Sequence, residues 1–197
     1  MSVSRGGIVA RDRLLDRLEG KAIRRLTLVT GPAGFGKTTL LAQWQGILLQ
    51  RDIKCGWLSL DADDQDIDRF FHYFIGAVRM ALPEFGQRAM QVLQRPARQN
   101  IASVIASIVN EVAEHNDSIA VFLDDFYLAE SSAVNEAMQL LLHRAPNNLH
   151  VIVGSRAVPD WPLASLRVHD EIMMIDATAL RFDRQESRDF IQISRGL

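Results

Sequence analysis

Gly31-Pro32-Ala33-Gly34-Phe35-Gly36-Lys37-Thr38 fits the pattern G-x-x-x-x-G-K-[ST], and its surroundings decide what it means. Leu26-Thr27-Leu28-Val29, before it, is apolar and partly β-branched, as in a buried strand. Leu40, Leu41, Trp44 and Leu48, after it, recur at helical spacing. Strand, glycine loop, helix is the arrangement in which backbone N–H groups form a concave anion site at the start of a helix. Lys37 is placed to reach the β- and γ-phosphates of a nucleotide, and the Thr38 hydroxyl to ligate Mg²⁺.

Working outward, the chain alternates strand and helix. Ile8 to Leu18 reads as an extended lead-in and a short helix with Leu14, Leu15 and Leu18 inside and Arg11, Arg13 and Arg17 as a solvated face; Gly20 stops it. Cys55 to Leu60 is a second strand. It runs into the acidic loop Asp61-Ala62-Asp63-Asp64-Gln65-Asp66. Asp64, Asp66 and Asp68 alternate as in a calcium loop, but Arg69 and Ile75 stand where glycine and glutamate are required, so helix capping and a solvated turn account for the acids better. The next helix buries Phe70, Phe71, Phe74, Ile75, Val78 and Leu82 and stops by Pro83. Residues 84–100, with Pro96, read as a broken helix or a connector. Ile101, Val104, Ile105, Ile108, Val109 and Val112 then mark a clear amphipathic helix.

Ile119-Ala120-Val121-Phe122-Leu123 is a continuous apolar run, as in a strand covered on both faces, and it delivers Asp124-Asp125 at its end. A helix follows through Val134, Ala137, Met138, Leu141 and Leu142. Val151-Ile152-Val153 leads to Gly154-Ser155-Arg156, and Val158 to Pro162 forms a rigid loop. Residues 171–175 are the last strand and 183–193 the last helix. This pattern is α/β: a parallel sheet with helices on both faces, whose right-handed crossovers gather the glycine loop, Asp124-Asp125 and Arg156 at one edge. There Asp124 has the type and position of a Walker-B carboxylate holding Mg²⁺ through water. Asp125 either orients or deprotonates an attacking water or acts through a neighbouring group, and Arg156 senses the γ-phosphate.

Composition narrows the partners. A net charge of -2 gives no overall electrostatic drive toward nucleic acid or an anionic membrane. The single cysteine, Cys55, rules out an intrachain disulfide and, with no signal peptide or apolar span, fits a cytoplasmic protein. His72, His115, His143, His150 and His169 show no metal spacing, and no G-x-S-x-G elbow occurs. Trp44, Trp57 and Trp161 read as packing residues.

The stretches Leu26 to Leu41, Trp57-Leu58-Ser59-Leu60-Asp61, Leu123-Asp124-Asp125-Phe126, Gly154-Ser155-Arg156 and Leu180-Arg181-Phe182 together resemble the nucleotide-binding domain of the MalT-type, LuxR-family ATP-dependent transcriptional activators. These are STAND-class, AAA+-like P-loop NTPases. The resemblance implies a three-layer α/β/α sandwich on a five-stranded parallel sheet, with the Arg156 strand between those of the P-loop and Asp124. It implies that Gly31, Pro32, Ala33, Gly34, Phe35, Gly36, Lys37, Thr38 and Thr39 hold ATP or ADP, with Val9 and Arg11 near the adenine. It implies a switch: ADP in a resting form, ATP with an inducer in a self-associated form, slow hydrolysis between them. Asp12 stands where the family often has proline. On this reading residues 1–8 are a loose N-terminal segment, 9–178 the nucleotide-binding domain and 179–197 the start of a lid cut short. Sensor repeats and the DNA-reading helix-turn-helix are expected outside this chain, so no direct DNA contact and no membrane contact are expected of it. A stand-alone P-loop ATPase, a small-molecule kinase and a binding-only nucleotide module stay open as alternatives.

Overall fold

Every residue of three central strands is buried, which is what near-continuous apolar runs predict for parallel strands covered on both faces. They are β1 (Leu26–Thr30), β3 (Ile119–Asp124) and β4 (Leu149–Ser155), flanked by β2 (Lys54–Ser59) and β5 (Ile172–Ile175) at the edges. The computed structural model describes residues 8–19, 23–94 and 101–194. The readings made for residues 1–7, Gly20 and Pro96 lie outside these. The sheet is parallel throughout, in the order β2-β3-β4-β1-β5. The Arg156 strand does lie between the P-loop and Asp124 strands.

Alternation along each strand feeds two cores. Val121 and Leu123 of β3, with Val151 and Val153 of β4, point into one. There they meet α3 (Ile67–Ala81), α4 (Gln87–Leu93), α5 (Ile101–Glu114), α6 (Ser132–Arg144) and α7 (Ala164–Val168). Ala120, Phe122 and Ile152 point the other way, into the leucines of α1 (Asp12–Glu19) and α2 (Lys37–Gln50) and Leu180 of α8 (Ala177–Leu180). A period of two in the strands thus produces three layers, α/β/α. A final helix, α9 (Arg184–Ser194), follows α8, and a domain boundary at 178 falls inside α8.

The acidic loop is a pair of caps. Asp61 and Asp64 form a reciprocal capping box around the 3₁₀ turn Ala62–Gln65, and Asp66 caps α3 by accepting from Arg69 N at 2.9 Å. Arg69 then pairs with Asp61, Asp63 and Asp64. The uncertain stretch after Pro83 contains α4, whose start is held from a distance: the buried Glu111 carboxylate of α5 accepts from Gly86 N at 2.7 Å and Ala89 N at 3.1 Å. Leu82 ends α3 only half-buried, because the chain turns away there.

His150 of β4 is buried, and its Nδ1 donates to the Arg24 carbonyl at 3.1 Å. Burial holds its pKa below the ordinary value, and the carbonyl bond only partly opposes this. The unfolded chain therefore takes up the proton first, and folding stability falls as pH drops below about 6.5. Urea denaturation at pH 7 and pH 5 should show a loss that is smaller in His150→Asn, the histidine contributing at most about 1.4 kcal/mol per pH unit. Equal losses in the two proteins would remove His150 as the cause.

Candidate functional site at the carboxyl edge of the sheet

β1 ends at Thr30 and α2 begins at Lys37, so the glycine loop is the whole connection. Gly34 (φ 80°) and Gly36 (φ 77°) take left-handed backbone conformations, the ones an L side chain resists, and Gly36 is the N-cap of α2. No side chain caps this helix, so its first N–H groups are left for a ligand at its positive end. Pro32, Ala33 and Thr38 are exposed, and Phe35 and Thr39 half-buried. Lys37 is buried and turns back into the loop, its Nζ donating to Gly31 O at 2.8 Å and Pro32 O at 3.1 Å.

Asp124 closes the opposite wall. It ends β3, only 3% exposed, with the Thr38 hydroxyl near enough to act on its carboxyl. Burial pushes this carboxyl above its usual range. The Asp125 charge adds to the rise, while the Thr38 hydroxyl, the Asp125 amide and the Lys37 charge oppose it. Because β4 separates β1 from β3, the contact must pass over Gly154. A Cβ there would stand 2.9 Å from Asp124 Oδ1 and 2.9 Å from Leu41 Cδ1. Ser155 O accepts from Gly31 N at 3.2 Å and ties the loop to β4. Asp125 sits in a left-handed conformation (φ 56°), with its amide donating to Asp124 Oδ1 at 3.1 Å. Arg156 is exposed, its guanidinium 4.2 Å from the centroid of the Tyr127 ring.

On the other side of the loop, Gly34, Phe35, Gly36, Leu180, Arg181 and Phe182 line a hollow of about 230 Å³. Neither Val9 nor Arg11 lines it, but Arg11 stands behind it, against Leu180, Phe182 and Gly36. The Val9 carbonyl accepts from Gln43 Nε2 at 2.8 Å, and Arg11 N donates to Gln43 Oε1 at 3.2 Å. Arg11 is not part of a solvated face. It is buried, with Nε donating to Glu186 Oε1 at 3.0 Å, Nη2 to Leu180 O at 2.6 Å, and its guanidinium 4.9 Å from the Phe182 ring. Arg13 and Arg17 bond to carbonyls of Ala179 and Met174. Arg13 and Arg17 stay exposed, as a solvated face predicts, and only Arg11 is turned inward by partners about 170 residues away.

The loop, Asp124, Asp125 and Arg156 therefore share one rim, with Val9 and Arg11 beside the loop. A larger cavity, about 660 Å³, lies elsewhere, between α6 and α7 against Trp161, Leu163 and Leu166, and touches none of them. Sequence reasoning missed the spacing role of Gly154, the ring of Tyr127, and Gln43 and Glu186. Glycine directly after the apolar run Val151–Val153 was the one readable signal among these.

No protein-family model matches the chain. It is 36% identical over 182 residues to the HTH-type transcriptional regulator MalT of Yersinia enterocolitica, covering 92% of this chain and 20% of that protein. It is 34% identical over 184 residues to MalT of Yersinia pestis, covering 93% and 20%. The chain thus spans about one fifth of the length of these relatives. Among solved structures, a DNA replication initiation factor superposes with a TM-score of 0.51 at 14% identity, covering 94% of this chain and 48% of that one. Drosophila ORC bound to DNA and Cdc6 gives 0.51 at 11%, covering 92% and 30%. Over nearly its whole length, then, the chain resembles a segment of the MalT-type transcriptional regulators, carried on the fold of the AAA+ P-loop NTPases.

Proposed function

We propose that the chain is a Mg²⁺-dependent ATP/ADP-binding domain with slow ATPase activity, the switch of a MalT-like, LuxR-family regulator of the STAND class. The observation that supports it most is the gathering of Thr38, Lys37 and Asp124 at the head of an uncapped helix, close enough that the Thr38 hydroxyl and the Lys37 charge both act on the Asp124 carboxyl.

On this reading the nucleotide phosphates take over the bonds that Lys37 gives to its own loop, and the free N–H groups of α2 hold them. Thr38 and Asp124 offer the hard oxygen donors that suit Mg²⁺, which keeps water and phosphate oxygens as its other ligands. Bound there, the ion would neutralise charge on the β- and γ-phosphates. Asp125 orients a water against the γ-phosphorus and takes its proton as the bond to the ADP oxygen breaks. Arg156 stabilises the charge that spreads over the terminal phosphate. The base lies in the hollow by Phe35, Leu180 and Phe182, near Val9 and Arg11. Self-association in the ATP state belongs to the same proposal, as does DNA binding only through other domains of a longer regulator. Among the described residues no helix is long and apolar enough to cross a membrane.

Titration of labelled ATP with and without Mg²⁺ tests the core of this. Lys37→Ala should weaken binding about tenfold to a hundredfold, the value of a charge-assisted bond. Equal binding by wild type and variant would remove the P-loop assignment. In single-turnover assays Asp125→Asn should slow hydrolysis by about 10²-fold with little change in affinity; matching rates would end its catalytic role. Asp124 carries a cost in the protein without ligand, because burial holds its carboxyl above its usual pKa and so makes its charged form less favourable in the fold than in the unfolded chain. Asp124→Asn should therefore raise the melting temperature while lowering the Mg²⁺-dependent part of ATP affinity. A lowered melting temperature would contradict the first half, and unchanged Mg²⁺ dependence the second.

A further inference from the structure

Arg156 follows β4, which has β1 and the glycine loop on one side and β3 on the other. Its guanidinium leans to the β3 side, over Tyr127. Tyr127 belongs to the 3₁₀ turn Phe126–Leu128 directly after Asp124-Asp125. That turn is well anchored: Phe126 is fully buried, edge-on to Phe70 at 6.3 Å and to Trp161 at 5.1 Å. The turn that carries the ring is therefore held in place, the ring itself is half-buried, and the arginine lies exposed over it.

We infer that Tyr127 is a holding site for Arg156 that sets the preference between a nucleoside triphosphate and a diphosphate. The inference rests on the proposal that Arg156 reads the terminal phosphate. A phosphate at the end of β1 and a ring at the end of β3 compete for one guanidinium from opposite sides of β4. The ring offers a modest cation–π contact, whereas a phosphate offers paired charge-assisted hydrogen bonds, so the phosphate wins. The contact still lowers apparent affinity by the fraction of time the guanidinium is held. That reduction falls on the triphosphate alone, because a diphosphate lacks the group that Arg156 reaches. Removing the ring should thus strengthen one ligand and leave the other unchanged.

The test is a set of titrations on the whole chain with Mg²⁺ and either ADP or a non-hydrolysable methylene-bridged ATP analogue. Tyr127→Leu should bind the analogue about two- to fivefold more tightly than wild type, with ADP affinity unchanged. Tyr127→Phe keeps the ring and should match wild type. Arg156→Gln should weaken the analogue alone, and in that background Tyr127→Leu should change nothing. Tyr127→Met, also without a ring, replaces the leucine variant if circular dichroism shows that it does not fold. The holding role is overturned if ring loss affects both nucleotides alike, weakens the analogue or leaves the ratio unchanged. It is equally overturned if the shift persists without Arg156. The Lys37→Ala control separates the two levels: if it binds as wild type does, the nucleotide reading itself falls, and if its defect is intact, a negative result falls on Tyr127 only.

Discussion

The approach of Thr38 to Asp124 brings together two strand ends that are not neighbours. Thr38 follows β1 and Asp124 ends β3, with β4 between them, so the contact crosses above a third strand. It can do so because β4 has no side chain at Gly154, where Asp124 and Leu41 both approach to within 3 Å of the absent Cβ. The strand order, the full burial of β1, β3 and β4 and the packing of α2 through Leu40, Leu41 and Trp44 all converge on that one gap. A site assembled this way is rigid because the sheet is rigid. Its parts cannot be displaced singly without disturbing parallel pairing that is covered on both faces.

The rim bears an energetic tension of its own, beside that of buried His150 elsewhere in β4. Lys37 and Asp124 are both buried, yet neither ends in a closed pair: the ammonium rests on carbonyls of its own loop, and the carboxyl is held by a hydroxyl and an amide. Desolvated charges so incompletely matched lower stability. The two apolar cores on either side of the sheet, with Phe70, Phe71, Phe74 and Phe85 in one and Trp44 against Phe122 in the other, offset this. Broken local rules at a rim of this kind are common in a protein built around a site.

What could be read from residues alone was whatever depends on neighbours in sequence. The strands came from continuous apolar runs, the helices from their period, and the loop from a motif with the right flanks. The gathering of Lys37, Asp124 and Arg156 at one edge followed from the handedness of crossovers. What could not be read depends on partners far along the chain. α4 stayed undecided between a broken helix and a connector because its cap is the carboxylate of Glu111. α7 has five residues, too few for a period to declare itself. Arg11 looked solvated because Glu186 and Leu180 lie at the other end of the sequence. Arg156 was placed on the correct strand, but its rest on Tyr127 is a side-chain choice that spacing does not encode.

The Arg11–Glu186 ion pair joins positions 175 residues apart, with side chains only 3% and 7% exposed. Water cannot replace either partner gradually, and parting them strands a guanidinium in an apolar crevice at a cost on the order of 3–5 kcal/mol. Helix α9 is thereby tied to the first helix, where Arg13 also approaches Glu186 at 3.5 Å. The Arg11 guanidinium that holds its Glu186 stands 3.6 Å from where a Cβ on Gly36 would be. Any motion of this last helix is thus coupled by contact to the loop at the heart of the sheet.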